Sequence, residues 1–254
     1  MRYLNGPLPG SDPALEAAFA HALLRRVSRE EILETLWVHR PARNAVVFGR
    51  RDTNLPGFDA AVAACREAGF APVVRASGGR AVAHTTDALV VDHVSPDPSW
   101  PSGMEVRFRE FGGLFAQVLR GFGIDARVGE VPGEYCPGAH SVNARGTVKL
   151  VGTAQRMVRD AWLFSSVIVV GGATVLQPLL GRVYDGLGQP FDPASVGAVR
   201  DEVAAVRDGP PVTLDDVEAA VLAAYSARSA LDPVEVDADS MALAHTVVAD
   251  HRVD

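Results

Sequence analysis

Apolar positions along the chain switch between a helical and an extended period. In ALEAAFAHALLRRV, Leu15, Phe19 and Leu23 recur every four residues, and Ser11-Asp12-Pro13 supplies an N-cap and a helix-opening proline. LETLWVH and AVVFG are rich in β-branched and aromatic residues and are split by Arg40-Pro41-Ala42-Arg43, so they are predicted to be strands. FDAAVAACREAGF is helical in pattern and ends at Gly69. PVVRASGGRAVAH follows as strand, glycine turn and strand, and DALVVDHV as a further strand. After the proline-bearing SPDPSWPSG comes a long amphipathic helix from Met104 to Gly121. GEYCPGAHSVNARG and VKLVGTAQRMVRDAWLFSSVIVV supply more strands. Leu176 to Tyr184 reads as a helix, LGQPFDPAS as a loop, and TLDDVEAAVLAAYSAR as a helix capped by Thr213. From Ser229 the tail is acidic and weakly patterned.

The longest apolar run, Trp162 to Leu180, approaches the length of a membrane helix. Ser165-Ser166, Gly171-Gly172 and Gln177 interrupt it, and it is predicted as a buried strand, a turn and the start of a helix. Strands adjacent to one another, with helices between and after them, favour an α+β fold: a mixed β-sheet core flanked by helices. With 254 residues and 48% hydrophobic content, the chain can bury a substantial core.

A net charge of -7 argues against binding a phosphate backbone, so nucleic acid is an unexpected partner. The N-terminus lacks the basic and apolar regions of a secretory signal, and two cysteines make no disulfide framework; cytoplasmic placement without membrane attachment is the expectation. No GxGxxG or GxxxxGK[ST] occurs, which disfavours a Rossmann or P-loop nucleotide site.

Chemistry concentrates in two places. In RASGGRAV, Gly78 and Gly79 free the backbone to approach a ligand, and Arg75 and Arg80 flank them, so an acyl carbonyl or an anion fits there. The same pattern also describes an ordinary hairpin turn. His84 falls two residues beyond Val82 on the following strand and is a candidate for the same pocket. In GEYCPGAHS, Cys136 is a candidate nucleophile, which needs nearby positive charge or a base to form thiolate. Lys149, set among Val148, Leu150 and Val151, is a candidate partner whose pKa falls if it is desolvated. His140 is a further candidate to assist the thiolate. Cys65, inside a helix, reads as an inert buried thiol.

The order of RASGGRAV (Arg75 to Val82) and KLVGTAQR (Lys149 to Arg156) resembles the biotin/lipoate protein ligase superfamily. Its cofactor-attaching members carry R-x-S-G-G-x-A-V and, on a later strand, K-x-x-G-x-A/S-Q-R. The similarity runs from about Leu15 to Tyr184. EYCPGAHS looks most like the S-Y-C-P-G loop of the octanoyl-[GcvH]:protein N-octanoyltransferases, departing from it at Ala139-His140-Ser141 and at TTDALVVDH after the glycine-turn strand. The resemblance implies a class II synthetase-like catalytic domain over 11–190, with 191–254 as a C-terminal helical extension packed on it. It implies a Cys136 thioester, activation by Lys149, and an acyl pocket formed by Arg75, Ser77, Gly78, Gly79, Arg80, Ala81 and His84 with Gly152, Thr153 and Ala154.

The implied reaction moves an octanoyl or lipoyl group from a carrier, the glycine-cleavage H protein or an acyl carrier protein, to a lysine of an E2 lipoyl domain, with no metal or nucleotide. The alternatives are an ATP-dependent lipoate–protein ligase, which would need ATP and Mg, and a non-catalytic binder of acylated carrier domains. Arg50, Arg51, Arg75 and Arg80 form a candidate docking patch for the carrier.

Overall fold

The computed structural model describes residues 1–8, 10, 12–99 and 102–253. Strands are β1 (Arg2–Asn5), β2 (Thr35–His39), β3 (Ala45–Phe48), β4 (Ala71–Val74), β5 (Val82–His84), β6 (Ala88–Pro96), β7 (Ala126–Val128), β8 (Val142–Ala144), β9 (Val148–Val158), β10 (Ala161–Val169) and β11 (Asp232–Pro233). Helices are α1 (Pro13–Ser28), α2 (Phe58–Glu67), α3 (Met104–Gly121), α4 (Ala173–Leu187), α5 (Val199–Ala204), α6 (Leu214–Ser226) and α7 (Ala238–Val247).

The strands form an eight-stranded sheet, ordered β11-β1-β2-β6-β10-β9-β8-β7, and a three-stranded sheet, β4-β3-β5. The large sheet is mixed: β1 runs parallel to both neighbours, whereas β2, β6, β10 and β9 pair antiparallel. Both of its faces are buried, which explains why DALVVDHV and WLFSSVIVV read as near-continuous apolar runs. Leu89 and Val91 of β6 with Phe164 and Ile168 of β10 pack into a core shared with α3 and α6. Trp37, Val94 and Leu163 point the other way, into a core shared with α1 and α7. The small sheet packs with α2 and α4 into a third core.

Local chemistry sets the helix ends. The Asp12 side chain accepts from Ala14 N–H at 3.0 Å with Pro13 in the first helical position, as read from the sequence; Ser11 lies outside the described residues. Thr213 and Asp216 close a reciprocal capping box on α6. Met104–Gly121 is helical over the predicted span, while Trp100 and Pro101 of the preceding loop lie outside the described residues. The Trp162 to Leu180 run is the predicted strand, turn and helix start, and among the described residues no helix is long and apolar enough to cross a membrane.

Several features differ from the sequence reading or lie beyond it. LETLWVH and AVVFG, adjacent in sequence, enter different sheets. The RASGGRAV loop is not a hairpin: β4 and β5 lie on opposite sides of β3, so the loop crosses the end of β3. The weakly patterned tail contains α7, capped by Asp237, and β11, which pairs with β1. The short strands β1 and β7 also carry too few residues to declare a period.

Candidate active site

The two sequence motifs meet in space. Gly78 N–H donates to the Gln155 carbonyl at 3.4 Å, and Arg156 Nη1 donates to the Ala76 carbonyl at 2.9 Å, so the glycine-rich loop sits against the C-terminal half of β9. The Cys136 loop closes over it. Cys136 N–H donates to Tyr184 Oη at 2.6 Å, and that hydroxyl donates to the Ala81 carbonyl at 2.9 Å. Tyr184, fully buried on α4, therefore ties the two loops together. The backbone of Cys136 has φ +43, a left-handed conformation that costs a non-glycine residue about 1–3 kcal/mol and is kept only where surrounding bonds impose it.

Two donors face the thiol: Arg80 backbone N–H at 3.2 Å from Sγ and Arg75 Nη2 at 3.6 Å. The same guanidinium donates to the Gly78 and Arg80 carbonyls, at 3.0 and 2.8 Å, which fixes it against the loop. Burial alone would push the Cys136 thiol up. The Arg75 charge, then the Lys149 charge and the Arg80 N–H, outweigh it and hold the thiol below its ordinary range.

Gly79 is required twice over. Its φ is +100, and a Cβ there would lie 2.5 Å from Arg75 Nη2 and 2.7 Å from Cys136 Sγ. Gly78 has neither constraint. Gly79→Ala is expected to slow alkylation of Cys136 by iodoacetamide at least about tenfold by displacing thiol and guanidinium, whereas Gly78→Ala leaves the rate within about twofold of wild type. Equal rates for the two variants would show that the contact does not matter.

Lys149 lies behind the cysteine loop, 1% exposed. Its Nζ donates to the carbonyls of Tyr135 and Cys136, each at 2.9 Å, and stands 3.5 Å from Oε1 of Glu134 and 4.7 Å from the Tyr135 ring centroid. Glu134 is equally buried, and the same oxygen accepts from Gly138 N–H and from the Ser141 hydroxyl. Burial lowers the Lys149 pKa, with the Cys136 and Glu134 charges opposing. The lysine thus grips the backbone of the cysteine and acts on its sulfur through charge.

A partly open cavity of about 80 Å³ begins at Cys136, well above the about 10–15 Å³ that one water needs. Arg75, Ser77 and His84 line it from the glycine loop and β5, and Gly152, Thr153 and Ala154 from β9. Gly78, Gly79, Arg80, Ala81 and Lys149 stand outside its wall; Gly79 and Arg80 instead touch the thiol, and Ala81 holds Tyr184. Burial, followed by the Arg75 charge, pushes the His84 imidazole down to about 3.

Other candidates are drawn elsewhere. His140 turns toward α3, where its Nε2 meets Glu105 at 3.2 Å and its ring stacks on Phe108, so it does not serve the thiol. Cys65 is wholly buried, and burial pushes its thiol up to about 12. Of the four arginines of the docking patch, Arg75 is spent on the loop and Arg80 on Asp52 at 3.2 Å, leaving Arg50 and Arg51 exposed. Among the described residues no cluster of three or more His, Cys, Asp or Glu is arranged to hold a metal ion. Tyr184 and Glu134 were not singled out from sequence: an aromatic on a helix face and an acid in a loop carry no pattern that separates them from packing or solvated residues.

The family model described as the lipoyl protein ligase A/B catalytic domain matches residues 12–226. An octanoyl-[GcvH]:protein N-octanoyltransferase of Geobacillus kaustophilus (strain HTA426) is 33% identical over 153 residues, 60% of this chain and 53% of that one. An enzyme of the same name from Anoxybacillus flavithermus (strain DSM 21510 / WK1) is 31% identical over 167 residues, 65% of this chain and 58% of that one. The chain thus spans little more than half the length of these two relatives. A crystal structure of lipoate-protein ligase A bound with ATP superposes with a TM-score of 0.73 over 98% of this chain and 94% of that one at 19% identity, a likeness of fold. With the model spanning the cavity, both motifs and the Cys136 loop, the chain belongs to the lipoyl protein ligase A/B catalytic domain family.

Proposed function

We propose that this protein is an acyltransferase that moves an octanoyl or lipoyl group through a thioester on Cys136, from an acylated carrier to a lysine of a lipoyl domain. The observation that carries the reading is the thiol itself, at the head of the cavity and faced by Arg75 and the Arg80 N–H. In the first half-reaction the thiolate attacks the acyl carbonyl of the donor, and the donor's amine leaves with a proton. In the second, an acceptor lysine amine attacks the thioester and the thiolate departs. Arg75, Gly79 and Arg80 order the attacking sulfur; Ser77, His84, Gly152, Thr153 and Ala154 enclose the acyl chain; Lys149 holds the loop. Two relatives named for GcvH support the glycine-cleavage H protein as donor. Free thiols at Cys65 and Cys136 suit a reducing cytoplasm.

We propose residues 11–190 as the catalytic domain and 191–254 as an extension sharing its core, a reading supported by the core shared by α7 and α1 and the one shared by α6 and α3. The test is intact-mass spectrometry of the full chain mixed with an octanoylated H protein and no nucleotide. An added octanoyl group that then disappears onto a lipoyl domain is the expected result. Lipoyl-domain labelling that requires ATP and free acid, without an enzyme adduct, would replace this reading by a ligase.

A further inference from the structure

The backbone that carries Arg75 is gripped from both sides. In the peptide unit joining Val74 to Arg75, the N–H donates to the Phe48 carbonyl at 2.9 Å, and the C=O accepts from His251 Nδ1 at 2.7 Å. β4 is an edge strand with β3 on one side only, so the partner for that carbonyl comes from outside the sheet. His251 supplies it from a single turn of 3-10 helix, Val248–His251, that follows α7. Beside it Arg252 makes an antiparallel bridge to Val73 and an ion pair with Asp12 at 2.8 Å, and the Val253 carbonyl accepts from Arg66 Nη2 at 3.1 Å.

The partners of the ring fix its hydrogen. A carbonyl only accepts, so the hydrogen sits on Nδ1 of His251, and the neutral ring offers Nε2 as acceptor to His21 Nδ1 of α1 at 3.3 Å. Both rings are interior, His251 0% and His21 9% exposed. Burial, then the charges of His251, Arg156, Arg25 and Arg50, push His21 down to about 4, and burial lowers His251. The pair is therefore neutral at pH 7 and acts through directed hydrogen bonds. What it holds matters for the thiol. Arg75 is the largest influence opposing burial at Cys136, and its Nη2 stands 3.6 Å from Sγ, a separation at which a small shift of the backbone changes the attraction.

We infer that His251 is a positioning residue for the nucleophile. By pinning the Val74–Arg75 peptide it aims the Arg75 guanidinium at Cys136, with His21 holding the imidazole in place, and the segment after α7 becomes a working part of the active site. The inference rests on the reading of Cys136 as the nucleophile.

The experiment measures the pH midpoint of Cys136 alkylation by iodoacetamide, the melting temperature and acyl transfer on the full chain. His251→Leu removes the donor to Val74 and is expected to raise the midpoint by at least about 0.5 unit and to slow transfer about tenfold. His251→Asn sets an amide N–H where Nδ1 stood, and its midpoint should stay within about 0.2 unit of wild type. Both variants lose the contact with His21 and should fall alike in melting temperature, so a merely structural role moves stability and leaves the midpoint alone. Should the leucine variant not fold, His251→Ala replaces it: water entering the vacated space pairs the carbonyl without aiming it, and the midpoint still rises. A wild-type midpoint in the leucine or alanine variant, or an asparagine variant shifted as far as leucine, overturns the inference. Failure of the acyl-transfer reading would show separately, as wild type that forms no thioester from an acylated carrier while the alkylation shifts stand.

Discussion

Cys136→Ala is expected to lower carrier-dependent acyl transfer by roughly a thousandfold or more and to remove the octanoyl adduct from the intact-mass spectrum, while thermal stability changes little. The bonds that shape the loop are made by the backbone of this residue: its N–H to Tyr184 and its carbonyl to Lys149. They survive loss of the sulfur. Cys136→Ser should be equally inactive, because the charges that bring a thiol into the thiolate form at neutral pH fall far short of deprotonating a hydroxyl. The sign of the pH dependence follows from the same contacts. A thiol whose pKa is lowered in the folded protein is more ionised at a given pH, so iodoacetamide should modify native Cys136 with a midpoint below that of the unfolded chain. Arg75→Met removes the largest of the opposing influences and should move the midpoint up. An unmoved midpoint would assign the lowering to Lys149 and the Arg80 N–H instead.

The sequence shows the nucleophile and the loop it faces more readily than what lies between them. Cysteine in a Gly/Pro loop and paired glycines between strands are local signals, and the helices with clear four-residue spacing formed where their caps place them. Contacts that depend on topology left no such mark. The glycine loop has the composition of a hairpin, yet its strands flank β3, because β3 enters between them through a parallel pairing with β4 and an antiparallel one with β5. Lys149 was expected to face the thiol from its strand. It faces the carbonyls on the other side of the same loop, a distinction fixed by the left-handed turn at Cys136, which no residue pattern announces for a non-glycine. The burial of His39 and Asp92, two residues of the cavity lining, was hidden for a related reason: in WVH and VDH a polar residue looks solvated until both sheet faces prove buried.

Lys149→Met carries the other large expected effect, and it has two parts that a second substitution separates. Glu134 and Lys149 are both about 1% exposed, so losing the ammonium strands a buried carboxylate; the cost is about 3–5 kcal/mol, seen as a fall in melting temperature of roughly 10 °C. Glu134→Gln on that background removes the stranded charge while an amide oxygen still accepts from Ser141 or Gly138, and stability should largely return. Transfer should not. The double variant still lacks the positive charge that helps hold the thiol down and the two donors that fix the Tyr135 and Cys136 carbonyls, so transfer should stay at least about a hundredfold below wild type, with the alkylation midpoint raised. Melting temperature, transfer rate and alkylation profile measured on wild type and both variants decide the matter. Recovery of transfer together with stability in the double variant would reduce Lys149 to a counter-charge for Glu134 with no part in the chemistry of the thiol.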